Sequence, residues 1–363
     1  MTVDQDLSPG MGDGAMDVSI HPMNPDEADG VSQLMREAYR GTYPKKFVYN
    51  PEQLRYMTES GDLFSVVGTG PEGEVIGYGA LRAYPGYPEI GLMGSLVVSP
   101  AYRNGELGRN LARYLADYSE KRGFPALTAE VSTSHPSFQQ AFEGLGFFPS
   151  AVILGAQPHD ISYGGIAEHP GQRESVAFLT RLRSSVRYRP QYLPENHQEI
   201  IGEICRALGL LASPGKEGVS RQEPTIIEES FSEETRSGQI VVRSSGYNFR
   251  RSIAQTLWNL RARGEQSIWM HLDASVPSTP AAATAAEDAG FIFSGILPGK
   301  KGLILLHQFT REKICCDQIH LPGPLGTRLL AYIDSQRKPD LPRRQSSTGV
   351  TPRAHQPRDR PAS

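Results

Sequence analysis

Arg103, Gly105, Gly108 and Arg109 stand where a strand gives way to a helix, within residues 95–115, SLVVSPAYRNGELGRNLARYL. The first N–H groups of a helix lack intrahelical partners and carry partial positive charge, so a short loop entering a helix makes an anion site. Glycine lets backbone approach such an anion closely, and arginine adds forked donors suited to phosphate. Arg103, Asn104, Gly105, Glu106, Leu107, Gly108 and Arg109 would thus present bare amides to a diphosphate. Glu106 opposes this, because a carboxylate ~5 Å from a phosphate costs a few kcal/mol when poorly screened. It weakens the site unless its side chain points to solvent.

The elements needed to hold that loop can be read on both sides of it. VSIHPM is a strand, and NPDEADGVSQLMREAYR a helix with an acidic first turn and Val31, Leu34, Met35 and Tyr39 at helical spacing. NPEQLRYMTESG is a second helix, capped by Asn50, opened by Pro51 and ended by Gly61. LFSVVGT and VIGYGALRAY flank GPEGE as a hairpin, and EIGLMGSLVVS is the strand entering the loop. Beyond it, Leu107, Leu111, Leu115 and Tyr118 mark one apolar helix face that stops near Gly123. ALTAEVS, SHPSFQQAFEGLGF and SAVILG then give strand, helix and strand. The order β-α-α-β-β-β-α-β-α-β specifies a mixed α/β (α+β) sheet, neither doubly wound nor a sandwich. A Rossmann-type nucleotide fold is disfavoured, since no Gly-x-Gly-x-x-Gly follows the first strand.

The chain has 363 residues, long enough for two domains. A net charge of −3 gives no reason to expect nucleic acid or an acidic membrane as partner. The three cysteines, Cys205, Cys315 and Cys316, cannot all pair, and neighbouring cysteines rarely do, so a reducing, cytoplasmic setting is expected. HxxEH and CxxC metal signatures are absent, and no metal is expected. Residues 1–17 read as a polar, glycine-rich arm and 336–363 as a basic, disordered tail. No signal peptide or membrane-length apolar run is evident.

A partial internal repeat is also present. EKRGFPALTAEVSTSHPS lies beside RARGEQSIWMHLDASVPS without gaps, matching Arg122 with Arg263 and Gly123 with Gly264. GLGFFPSAVILG likewise answers DAGFIFSGILPG. The helix PENHQEIIGEICRALGL and the strand QIVVRS supply earlier parts of the second copy. Residues 18–185 and 190–335 are therefore expected to be a first domain and an abbreviated, degenerate second one.

With the elements in this order, VVSPAYRNGELGRNL resembles the coenzyme A loop of the GCN5-related N-acetyltransferase (GNAT) superfamily: Arg or Gln, two residues, Gly, one residue, Gly or Ala. Arg103 and Gly108 match its ends, and Glu106 occupies the inner glycine position. AFEGLGF is similar to that family's closing helix, with Glu143, Leu145, Gly146 and Phe147 in register. The resemblance covers residues 18 to 156 and implies the acyl-CoA N-acyltransferase fold, duplicated here. It also implies acetyl-CoA as co-substrate and a small-molecule or peptide amine as acceptor. Backbone around Leu96, Val97 and Val98 would then bind the pantetheine arm and polarise the thioester carbonyl. Glu89, at the start of that strand, falls where relatives keep a catalytic carboxylate, and equally reads as a surface strand end. His135 falls near the thioester, either moving protons or holding a helix start. The usual thiolate-protonating Tyr aligns with Phe142, which has no proton to give. Tyr43, Tyr49, Tyr84 and Tyr87 either line an acceptor slot or pack as turn residues. AYRGTYPKKFVYNPE and QRESVAF further resemble acetyltransferase-like proteins seen with bacterial regulatory ATP-binding domains, which implies such a partner. A homodimer is the other assembly expected. A non-catalytic coenzyme A-sensing or protein-binding module is the alternative to an enzyme.

Overall fold

The computed structural model describes residues 18–103, 105–134, 136–162, 171–215 and 222–337, with no account of the side chains of 136–138. The expected arm, the tail from 338, Asn104 and His135 lie outside these residues. In chain order the first half holds β1 (Ser19–Pro22), α1 (Ala28–Tyr39), α2 (Pro51–Glu59), β2 (Phe64–Thr69), β3 (Val75–Tyr84) and β4 (Tyr87–Val98). It continues with α3 (Leu107–Lys121), β5 (Ala126–Ser132), α4 (Pro136–Glu143), β6 (Phe148–Gln157) and β7 (Glu174–Leu182).

Local signals place these elements. Asn24 and Glu27 form a capping box ahead of α1, and the Asn50 side chain accepts from Gln53 N–H at the start of α2. α1 buries Val31, Leu34, Met35 and Ala38, and α3 buries Leu107, Leu111 and Leu115. Glycines on β2 and β3 let α3 lie close. A Cβ at Gly68 would stand 2.8 Å from Leu107 Cδ1, and one at Gly77 2.8 Å from Leu111 Cδ1. β7 adds a strand to the expected order. It inserts between β5 and β6 and is buried along most of its length, so it shows no polar alternation.

The second half holds β8 (Val186–Arg187), α5 (Gln198–Leu208), β9 (Leu210–Leu211), β10 (Ile226–Ser232), β11 (Ser237–Ser244) and α6 (Phe249–Ala262). Then follow β12 (Ser267–Asp273), α7 (Thr279–Asp288), β13 (Ile292–Pro298), β14 (Leu303–Thr310) and α8 (Gly323–Ser335). β8 and β9 pair with each other, and the other strands form one sheet in the order β1-β2-β3-β4-β5-β7-β6-β13-β14-β12-β11-β10. The run β3 to β7 and the run β10 to β14 share element order, strand order and one parallel pair each, β4–β5 and β11–β12.

The repeated residues do the same work in both runs. Gly123 and Gly264 end α3 and α6 in the left-handed region, φ 82° and 91°. Gly146 and Gly290 do so after α4 and α7, and Phe147 and Phe291 beyond them are buried. The runs meet where β6 pairs antiparallel with β13, at Ala151 opposite Gly295. Those two residues occupy equivalent places in the repeat, each one past a bulge at Ser150 or Ser294. Pairing of equivalent residues is what a two-fold axis produces.

The boundary near 185–190 separates the two runs and not two cores. Val152 and Leu154 of β6 pack into the second half's main cluster, and Leu297, Ile304 and Leu306 join Ile90, Leu92 and Phe178. Arg173, almost fully buried, donates to Gly155 O, Gln266 Oε1 and Thr235 O at 2.7–2.8 Å, tying the halves together. Gln336 and Arg337, read as the start of the tail, belong to the fold. Gln336 Oε1 accepts from Phe293 N–H, and Arg337 donates to Ile314 O.

Gly295 carries the junction. Its φ is 134°, and a Cβ there would stand 2.2 Å from Ser150 O and 2.4 Å from Ala151 Cα. A Gly295→Ala variant should lose at least ~2 kcal/mol of stability, through strain and displaced backbone together. Denaturant unfolding checks this, with Gly123→Ala, where nothing lies within 4 Å of the new Cβ, as the milder comparison.

Candidate active site

β4 and β5 pair in parallel from Ile90–Ala126 only as far as Met93–Ala129. Past that point Ser95, at φ 54°, forms a bulge against β3, and the two strands part. Ser99 N–H donates to Ile76 O near the start of β3 (2.8 Å), and Val97 lies opposite Tyr78. The alternation of an antiparallel ladder therefore sends the Val97 amide towards β3 and those of Leu96 and Val98 into the gap. Arg103 Nε reaches Val98 O across that gap at 3.3 Å.

The parted strands open a cleft of about 750 Å³. At one end lies the start of α3, where Asn110 N–H is bonded to Glu106 O and the amides ahead of it precede the first helical bond. Arg103, Gly105, Gly108 and Arg109 line this end. Glu106 does not enter the cleft. Its side chain is 74% exposed and lies 3.8 Å from Arg109 Nη1, so its charge is turned to water and partly offset. Leu107 faces the opposite way, into the core under Gly68. The opening beside Val97 and the bare helix start are what a diphosphate on a flexible arm needs, so the residues present fit that ligand.

The other end was not anticipated from sequence. Lys45, from the loop between α1 and α2, places Nζ 2.7 Å from Glu130 Oε2 on β5, one residue beyond the last β4–β5 pair. Gln157 Nε2 donates to Glu130 Oε1 at 3.2 Å. Gly94 leaves room for the ammonium, since a Cβ there would stand 3.3 Å from Nζ. Burial alone would raise the Glu130 pKa. The charge and hydrogen bond of Lys45, with Arg82 and Gln157, outweigh it and hold the carboxyl below its ordinary value. Tyr43 Oη donates to Ser95 Oγ at 3.2 Å, on the bulge itself, and the Tyr39 ring lies 4.7 Å from that of Tyr43. Burial raises both phenols well above their usual range, so they remain neutral donors.

The structure thus brings Leu96, Val97, Val98, Arg103, Gly105, Gly108 and Arg109 to one cleft. It leaves Glu89 out. Six residues of strand, about 20 Å, separate Glu89 from Ser95, and its Oε1 accepts from Lys300 N–H in the second half. A carboxylate so placed is a strand-end tie between the halves, and the expected catalytic role is corrected on that ground. Of the four tyrosines, Tyr43 lines the cleft and Tyr49 Oη accepts from Tyr43 N–H. Tyr84 and Tyr87 pack instead against His271 at the junction. Phe142 is buried edge-on to Phe147 and lines the cleft with carbon alone. The one sequence signal for Glu130 was a carboxylate inside the otherwise buried run ALTAEVS.

In the second half, the place of the cradle is taken by the chain itself. Gly246 N–H donates to Thr225 Oγ1 (2.9 Å), Tyr247 N–H to Glu223 O (3.3 Å), and Asn248 Oδ1 accepts from Thr225 N–H. A Cβ at Gly246 would stand 1.9 Å from Glu223 O. The Gly246 and Tyr247 amides thus have protein partners.

Lys45→Met would leave Glu130 buried without its cation. The depressed Glu130 pKa stabilises the wild type above the unfolded carboxylate value, and that contribution is lost as pH falls through the folded one. The variant should therefore be about 3 kcal/mol less stable near neutral pH, with the gap closing below about pH 4. Urea unfolding of both proteins across pH 3–8 measures it.

Residues 28–147 match the model of the acetyltransferase (GNAT) family. No curated protein matches the sequence. Among solved structures, similarity is found to a GNAT superfamily phosphinothricin acetyltransferase from Sinorhizobium meliloti in complex with AcCoA. That likeness has 20% identity and TM-score 0.38, and covers 46% of this chain and 89% of that one. The ribosomal-protein-S18-alanine N-acetyltransferase from Escherichia coli gives 18% identity and TM-score 0.35, over 45% and 92%. An N-acetyltransferase from Staphylococcus aureus Mu50 gives 10% and 0.37, over 45% and 97%. Among the described residues no helix is long and apolar enough to cross a membrane. Members of the matched family are N-acetyltransferases that take acetyl-CoA as co-substrate. Residues 28–147 of this chain, which include the point where the sheet opens between β4 and β5, form a GNAT-family domain of the acyl-CoA N-acyltransferase fold.

Proposed function

We propose that this protein transfers an acetyl group from acetyl-CoA to an amine, at one site per chain, in the cleft between β4 and β5. The observation that carries this reading is a cleft with helix-start amides at one end and the Lys45–Glu130 pair at the other. Amides from Gly105 to Arg109, with Arg103 and Arg109, take the diphosphate. The open-edge amides of Leu96 and Val98 take the pantetheine arm and donate to the thioester oxygen as charge gathers there. Tyr43 and Ser95 fix the bulge that aims those donors.

The acceptor amine approaches from the Tyr43 side and attacks the carbonyl carbon. Glu130, ionised at neutral pH, draws in the cationic amine, which first gives one proton to solvent. The neutral amine then attacks, and Glu130 takes the second proton as the C–N bond forms and the C–S bond breaks. Solvent returns a proton to the departing sulfur, since Phe142 has none to give. The second run of elements is a duplicated half whose own cradle is closed by Glu223–Thr225, and its role is to complete the sheet and the walls around β6 and β7. A second reading, a coenzyme A-binding sensor, is favoured only by Phe142.

Acetyl-CoA at 100 times its Kd should raise the folding free energy by ~2.7 kcal/mol through mass action. Thermal shift reads this, and an Arg103→Ala, Arg109→Ala double variant should lose most of it. Thiol release with a panel of amines separates enzyme from sensor. Glu130→Gln should cut kcat/KM at least ~10²-fold while retaining the acetyl-CoA shift. Undiminished turnover in that variant would sink the role given to Glu130, and binding without thiol release would favour the sensor.

A further inference from the structure

The second half holds a cluster that acetyl transfer does not use. His197 precedes α5, Glu287 lies in the last turn of α7, and His307 is central in β14. Their ligand atoms all lie within 4.8 Å of one another. His197 Nε2 stands 2.7 Å from Glu287 Oε1, and His307 Nε2 stands 3.5 Å from the same oxygen.

Two further observations bear on what this cluster binds. His307 is 0% exposed, and neither of its ring nitrogens has a hydrogen-bond partner among the described residues. A buried imidazole left so carries the full cost of desolvation. The second observation concerns His197. Tyr332 Oη donates its one proton to Asn196 O at 2.7 Å, so at 2.7 Å from His197 Nδ1 it must accept. His197 therefore carries hydrogen on Nδ1 and turns Nε2 to the Glu287 carboxylate. A lone pair facing a carboxylate needs a cation between them. A proton there serves His197 and leaves His307 with only its long 3.5 Å approach to the same oxygen. A divalent ion serves all three groups at once.

We propose that His197, Glu287 and His307 bind one divalent transition metal ion of the zinc class. Two imidazole nitrogens and one carboxylate oxygen are a zinc-type donor set, with water from solvent as fourth ligand. In tetrahedral coordination at about 2.0–2.1 Å such donors lie roughly 3.3 Å apart, between the two separations found here. Tyr332 supplies the outer hydrogen bond that fixes a ligating histidine's tautomer, and Asn196 Nδ2 donates to Glu287 Oε2 at 3.3 Å. The Glu287 side chain is 26% exposed, which gives the ion a path in. Bound there, the ion would staple the start of α5 and the end of α7 to β14. The ligands are 90 and 20 residues apart in sequence, so no short metal motif announces them.

The test uses tag-free, full-length protein stripped with chelator and then given Zn²⁺ alone. Wild type should retain one zinc per chain after gel filtration and gain at least ~5 °C in Tm at saturating metal. Glu287→Gln and His307→Ala should each retain less than a tenth of the zinc and show no gain, with the acetyl-CoA shift of the first half reporting that the chain is folded. Should either variant fail to fold, Co²⁺ added to wild type decides alone: intense visible absorption of a tetrahedral site supports the proposal. No retained metal, or a weak spectrum of solvent-held Co²⁺, overturns it. Equal zinc in wild type and folded variants overturns it as well.

Discussion

The parting of β4 from β5 governs everything the first half does. Parallel strands that stayed in register would consume each other's amides and leave nothing for a ligand. Ser95 prevents this by taking a left-handed conformation that a non-glycine residue adopts only under constraint. The constraint is visible around it. Tyr43 bonds the Ser95 hydroxyl, Gly94 clears space for Lys45, and Lys45 spans the gap to Glu130. An opening in a sheet is held open by a polar prop at its mouth.

The helix start that lines the cleft is set by packing and not by the loop itself. Leu107 and Leu111 sink into space left by Gly68 and Gly77, which fixes the start of α3 beside the end of β4. This is why Glu106, in a position that ought to repel a diphosphate, is tolerable. With Leu107 anchored inward, the side chain one place earlier is turned outward, where Arg109 meets it. Where the same element order recurs, β11 and β12 pair one residue further, through Val241–His271, and the segment before β10 bonds to the loop. The two runs thus share one strand order, with the loop before the long helix lining a cleft in one and bonded to neighbouring chain in the other.

Much of this was legible in the sequence because it is written locally. Capping residues, the 3–4 spacing of α1 and α3, the hairpin and the Gly-Phe punctuation of the repeat each depend on a few adjacent residues. The strand, loop and helix around Arg103 to Arg109 were legible for the same reason. The polar prop was not, because Lys45 and Glu130 are 85 residues apart and each resembles an ordinary surface charge until the topology joins them. Glu89 misled through the opposite fault, since proximity along β4 said nothing of which end of the strand faces the cleft. β7 hid because a strand buried on both faces loses its alternation.

The Ala151–Gly295 junction has the geometry of a subunit interface, yet one chain supplies both sides. A two-chain assembly of this kind is lost on dilution, since each dissociation frees two bodies. Here a tether replaces that encounter with a local, fixed effective concentration. The integrity of the twelve-stranded sheet is therefore indifferent to how many copies of the protein a cell contains.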